Sequence, residues 1–206
     1  MNGHAEDNTY YWLHRMYSIT GFCFAAAFVF FFLIPYSSIF GGDAAFNRLM
    51  VRMDAVPMLG WALFFFVLVP LVFHMAMGIL IVYNCRINVI SYGYYRNWMY
   101  AMQRLAGLCL IPFVAYHIYA AGLKPVVMGR PMTAEMMSSA FSSPWVKALY
   151  MAGVVAAAFY FGNGFAHSLR SWGLTASGRS RGALAMAGWI VTLLLATWGV
   201  KLVLSF

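Results

Sequence analysis

The chain has 206 residues, 64% of them hydrophobic and 9% charged, with a mean hydropathy of +0.76. Soluble domains carry about 25% charged residues, so a water-soluble enzyme or nucleic-acid-binding domain is excluded and an integral membrane protein remains. The formal net charge of +8 is read as headgroup contact at both membrane surfaces, with no nucleic-acid signature.

Stretches free of Asp, Glu, Lys and Arg run from Met16 to Gly42, Ala55 to Cys85, Leu105 to Leu123, Ala148 to Leu169 and Gly182 to Val200. Each is long enough to cross a bilayer as a helix, which takes about 20 apolar residues. Runs such as F-V-F-F-F-L lack the alternating polarity of a barrel strand. The expected architecture is therefore an all-α integral membrane protein of five transmembrane helices, one transmembrane domain over residues 1–206, with a four-helix core. The first run follows Glu6 and Asp7 rather than a basic segment and shows no cleavage site, so it reads as a retained helix and not a signal peptide. An inside N-terminus leaves Arg15, Arg86, Arg96, Arg104, Arg170, Arg179 and Arg181 cytoplasmic, against Arg48, Arg52, Lys124, Arg130, Lys147 and Lys201 outside. That asymmetry is slight and does not set the orientation by itself.

Cys23, Cys85 and Cys109 form no C-x-x-C pair, so they read as small buried hydrophobes, and any haem would be held noncovalently. The histidines are more informative. Beyond His4 in the tail, His14, His74, His117 and His167 fall on four different helices. Gln103, Gly107, Leu110, Val114 and His117 share one helical face, and His74 and Gly78 stand one turn apart. Glycine on such a face lets something flat approach the backbone. Ionisable groups inside a membrane mark function by default, and histidines turned into a four-helix core suit a haem iron. The bland alternative is an imidazole satisfied by a neighbouring hydroxyl or carbonyl, and it weighs most at His14 and His167 near helix ends.

The segments L-H-R-M-Y-S-I-T-G, F-H-M-A-M-G, Arg96-Asn97-Trp98, Gln103-Arg104-Leu105-Ala106-Gly107 with His117, and N-G-F-A-H-S-L-R-S-W-G-L-T-A-S-G-R-S-R carry a resemblance. The chain resembles the five-helix cytochrome b subunit of succinate:quinone and quinol:fumarate oxidoreductases. The resemblance implies a membrane anchor and electron-transfer subunit with b haem, one or two, and a quinone, menaquinone here. It also implies flavoprotein and iron-sulfur partner subunits on the cytoplasmic face, and a multi-pass protein of the bacterial cytoplasmic membrane with a cytoplasmic N-terminus.

Carried over residue by residue, His74 falls on the family's second-helix ligand and His117 on its third-helix ligand. The other two positions depart from the pattern: no histidine lies between Ser18 and Gly42, and Tyr160 stands in the fourth-helix position. In the family the second-helix ligand pairs with the fourth and the third with the first, so each haem keeps one expected ligand. A rise of 1.5 Å per residue separates His74 and His117 by roughly 16 Å along the membrane normal, too far to share one iron. His167, seven residues beyond Tyr160 and on nearly the same face, is a replacement inner ligand, and Tyr160 itself is another. For the outer haem only a methionine, Met58 or Met151, has a suitable height. Arg15, Arg104 and Arg170 are candidate partners for haem propionates or quinone oxygens, with snorkelling to headgroups as the alternative.

Quinone chemistry also moves protons. Asp54, before Pro57 at the expected outer start of the second helix, is the candidate proton-handling acid, against an ordinary helix-start aspartate. His14, Arg15 and Trp172 offer a rival location at the cytoplasmic mouth. Two further readings stay open: a haem-free quinone-binding anchor, favoured by the two absent ligands, and a transporter, for which the helices show only histidines and Pro70 and Pro112.

Overall fold

A computed structural model describes residues 3–174 and 177–206, with side chains from Tyr11 onward. Thr175 and Ala176, within the last family-like segment, and the side chains of His4, Glu6 and Asp7 lie outside the described residues. The five expected spans are present: α1, which begins at Gly3 and spans Tyr11–Gly41; α3, Leu59–Tyr83; α4, Tyr95–Val127; α6, Pro144–Ser171; and α7, Gly178–Leu204. Two shorter helices, α2 (Asp43–Asp54) and α5 (Ala134–Phe141), lie in the connections on the face opposite the N-terminus. The N-terminal face is called inner below and the opposite face outer.

Three spans contain one widened turn each: Val29–Leu33, Phe64–Leu68 and Ile118–Leu123. Each is followed by a proline two residues on, at Pro35, Pro70 and Pro125. A proline ring collides with the carbonyl four residues back and has no N–H to give it. Widening the preceding turn to i→i+5 hydrogen bonds moves that carbonyl aside, so the chain continues through the bilayer without a break.

Helix association within lipid relies on close approach of small residues, because lipid is as apolar as the helices. The tightest pair is α6 with α7. A Cβ at Gly188 would lie 2.6 Å from the Gly162 carbonyl oxygen, and one at Gly199 would lie 3.0 Å from the Val154 side chain. Helix α1 packs on α3 and α4 packs on α6, whereas α3 and α4 touch little. The core is thus the four helices α1, α3, α4 and α6, with α7 outside against α6. A space opens between the α1–α3 pair and the α4–α6 pair.

The outer end is sealed. Helix α2 buries Phe46 and Met50, and α5 buries Met137 and Phe141. The Ala134 N–H donates to Asn47 Oδ1 at 2.8 Å, and the Met136 N–H donates to the Thr133 hydroxyl that caps α5. Trp61 and Trp145 stand exposed near the outer ends of the spans, and Tyr11, Trp12 and Tyr95 near the inner ends, where aromatic rings sit at headgroup level.

Candidate functional site

Helix α1 reaches α3 through two reciprocal glycine contacts. A Cβ at Gly21 would meet the His74 ring at 2.9 Å, and one at Gly78 would meet the Tyr17 hydroxyl at 3.7 Å. The two rings therefore stack, with centroids 4.2 Å apart and planes 8° from parallel. On the other side of the bundle Gly107 receives the Tyr160 ring, 3.1 Å from a built Cβ. The flat objects that the glycines of α3 and α4 admit are thus tyrosine rings.

His74, buried at 8% exposure, has both nitrogens bonded. Its Nδ1 lies 3.0 Å from the Tyr17 carbonyl oxygen and 3.2 Å from the Thr20 hydroxyl, whose proton is directed at the Met16 and Tyr17 carbonyls. A carbonyl can only accept, so Nδ1 carries the proton and Nε2 keeps its lone pair. Tyr160 then donates its O–H to Nε2 at 3.1 Å, and Tyr17 donates its own to the Tyr160 oxygen at 2.9 Å. Such bonds inside a membrane contribute about 0.6 kcal/mol each, up to about 1.7. The larger effect is to fix one tautomer and one ring orientation.

This cluster stands in the wall of a cavity of about 1260 Å³. Small-ligand pockets run to about 300–1,000 Å³, so the space admits a large flat or chain-like molecule. His14, Gln103, Arg104, His167 and Arg170 line its inner part. Gln103 is committed to the protein: its Nε2 donates to the Tyr160 carbonyl at 3.1 Å and its Oε1 accepts from Asn163 at 2.7 Å. It therefore positions Tyr160 and α6 against α4. Arg104 is held by its Tyr100 ring, 3.4 Å from the guanidinium carbon, and by a bond to the Tyr100 carbonyl. Its Nε is buried and finds no partner among the described residues, and the side chain lines the cavity, so the guanidinium is a cationic group beside the space that an anionic or carbonyl oxygen would occupy.

Several sequence expectations are corrected by these positions. The group on His74 Nε2 is Tyr160 and not His167, which is exposed along the cavity wall. Arg15 lies outside the wall: it donates to the Tyr11 hydroxyl at 3.0 Å and rests over the Trp172 ring at 5.7 Å. Asp54 is not at the start of the second span; it ends α2, a surface helix, and is exposed. There the helix dipole opposes its charge, and nothing aims it into the core. Asp54→Asn is expected to leave quinone-linked turnover of the assembled complex within twofold of wild type at every pH tested. Met58 is 71% exposed in a left-handed turn before α3, and no ligand position remains for it.

His117 lies in a different setting. Its Nδ1 is 3.3 Å from the Tyr150 hydroxyl, and the rings of Phe32, Tyr150, Phe113 and Tyr36 have centroids within 6.4 Å of its own. On α1 and α4 the cavity wall ends at Phe30 and Val114 and does not include His117.

The fit to a haem therefore differs between the two sites. At the inner site His74 presents Nε2 in the tautomer an iron ligand takes, its other nitrogen tied to a carbonyl. The cavity adjoins it, and the Arg104 guanidinium beside that space is a cationic group for a propionate. These residues fit one axial ligand and its surroundings, with Tyr160 as the group now on Nε2. At the outer site the space beside His117 is filled by side chains, and the residues do not fit the group. Among the described residues no cluster of three His, Cys, Asp or Glu offers another metal site.

Tyr17, Thr20 and Asn163 complete the site and escaped the sequence reading. Tyr17 had a signal, since Tyr17-x-x-x-Gly21 repeats the spacing of His74-x-x-x-Gly78 on the facing helix.

Over 201 residues, 98% of this chain and 99% of the other, the sequence is 28% identical to the succinate dehydrogenase cytochrome b558 subunit of Bacillus subtilis (strain 168). Residues 89–197, which hold α4, α6 and most of α7, match the model of the succinate dehydrogenase/fumarate reductase transmembrane subunit. The chain belongs to the family of succinate dehydrogenase/fumarate reductase transmembrane subunits.

Proposed function

We propose that this anchor subunit exchanges electrons between a quinone, menaquinone by the family resemblance, and an iron-sulfur subunit, with b-type haem held at the inner site on His74. The observation that carries this reading is the His74 imidazole, fixed by the Tyr17 carbonyl with Nε2 turned toward Tyr160 beside the 1260 Å³ cavity. The cytochrome b558 in the name of the Bacillus subtilis relative supports it. The inner face is taken as cytoplasmic, in a bacterial cytoplasmic membrane, with the iron-sulfur and flavoprotein subunits docked there.

When bound, a b haem supplies a one-electron carrier between the two-electron quinone and the iron-sulfur centre. The remaining work belongs to the chain. His74 binds through Nε2, and Tyr17 and Thr20 hold its ring. Gln103 and Asn163 keep Tyr160 in place across the site. Arg104, and Arg170 with His167 nearer the inner face, offer positive or hydrogen-bonding groups to propionates and quinone oxygens, while apolar walls from Phe24, Val29 and Leu110 keep water from the deep end.

A reduced-minus-oxidised spectrum with pyridine-haemochrome quantification of the purified complex tests this, and one haem per chain is the expected result. A complex that reduces or oxidises quinone with no haem would instead be a haem-free anchor. The direct bond between Tyr160 and His74 Nε2 is the observation favouring that second reading, because an iron held between two donors needs them about 4 Å apart, two bonds of about 2 Å. Arg104 provides an independent test. A hydrogen bond to a charged group contributes about 1.5–3 kcal/mol. Arg104→Gln is therefore expected to lower quinone-linked turnover about tenfold or more, with the oxidation of succinate by an artificial acceptor unchanged. Arg104→Lys should rescue it poorly, since a point charge lacks the planar fork that stacks on Tyr100.

A further inference from the structure

The outer half of the bundle is a solid aromatic core where the resemblance leads one to expect a second haem. The Phe32 ring stands edge-on to His117 with centroids 4.8 Å apart, on the helix that would supply the partner ligand. The Phe113 ring lies where a Cβ on Gly153 would have to go, so α4 and α6 are in contact through it. Phe32 is 5% exposed, Phe113 3%, Tyr150 1%, and Leu33 and Val154 0%. Packing continues outward through Tyr36, Phe46, Phe206 and Phe141, whose rings contact one another in that order. A macrocycle at this level requires several of these side chains to leave a close-packed interior, where overpacking by even a few methylenes is resisted. His117, part-buried, has a partner of its own in the Tyr150 hydroxyl, as a structural histidine does. The acids on the outer side, Asp43 and Asp54 on α2 and Glu135 on α5, are all exposed, outside this core.

We infer that the outer half holds no haem and that quinone is handled only from the cavity open toward the inner face; this rests on the inner site proposed above. A quinol there loses two electrons, one at a time, to the iron-sulfur subunit and two protons to water on the inner face, giving quinone. The reverse reaction takes both back from the same side. No electron enters the outer half, and turnover moves no net charge across the bilayer.

Three measurements on the assembled complex test this. Potentiometric titration of the wild type should give a single one-electron haem transition; two resolved transitions overturn the inference. His117→Phe, which extends the aromatic core, should keep the wild-type haem-to-flavin ratio and turnover within twofold. Loss of one haem, or a tenfold fall in turnover with the complex intact, overturns it. In liposomes, quinone-linked turnover should be unaffected by a protonophore, and stimulation by the protonophore overturns it. A wild-type complex with no haem removes the inner-site reading yet agrees with an outer half that holds none, so the two failures are distinguishable.

Discussion

His74→Ala is expected to yield a complex with no haem and with quinone-linked turnover reduced at least about 100-fold, while succinate oxidation by the assembled complex with an artificial acceptor continues. The size follows from what the ring does. Loss of a residue that merely orients a metal ligand costs about 10- to 100-fold in metal affinity or activity, and removing the ligand costs more. The substitution also leaves the Tyr160 hydroxyl without its acceptor, a desolvation cost of about 1–3 kcal/mol, whereas the Tyr17 carbonyl still accepts from Thr20. Haem per flavin, measured with the fraction of complex that stays assembled, separates ligand loss from unfolding. Full haem content in the variant would show that His74 is not the ligand.

Gly162→Ala is expected to be the most damaging single methyl addition in the bundle. A Cβ there runs into the Gly188 carbonyl oxygen and the Thr192 hydroxyl, and lies 3.1 Å from the Thr192 backbone nitrogen. None of the three obstacles can turn aside: two are backbone atoms, and the Thr192 hydroxyl is tied to the Gly188 carbonyl at 2.9 Å. Relief requires α6 and α7 to separate. Overpacking of a filled interior costs about 1–3 kcal/mol. For a chain of this size that corresponds to a melting temperature lower by roughly 2–12 °C. The disturbance reaches the site, because Tyr160 and Asn163 flank the position and hold Gln103. Gly182→Ala, where a Cβ meets open space, should leave melting unchanged or raise it slightly. Equal melting temperatures for the two variants would mean that α6 and α7 are not packed this closely.

Hydropathy alone made the five spans legible, because a bilayer imposes length and apolarity on each helix whatever its partners. Helical periodicity also placed Gln103, Gly107, Leu110, Val114 and His117 on one inward stripe, and Leu110 and Val114 are indeed buried. The use to which the stripe is put was not legible. The glycines receive Tyr17 and Tyr160, and that pairing depends on how close α1 comes to α3 and α6 to α4, distances no single helix encodes. Asp54 was misplaced for a related reason. An acid just ahead of a proline and a long apolar run reads as a helix start, whereas α2 had already begun at Asp43 and simply ends there. His117 looked equivalent to His74 from spacing alone. Their different surroundings follow from Phe32 and Phe113, apolar residues whose packing against an imidazole leaves no mark on hydropathy.

The three widened turns ahead of Pro35, Pro70 and Pro125 all lie in the outer portions of their spans. Each inserts one residue into the winding, and one residue is about 100° of azimuth. A helical wheel drawn through a whole span therefore goes out of phase at residues 29–33, 64–68 and 118–123. Beyond those points each rod is indexed afresh, so the upper and lower storeys of the bundle share axes but not angular registration. One storey can be rebuilt around bulky rings while the other keeps its hollow.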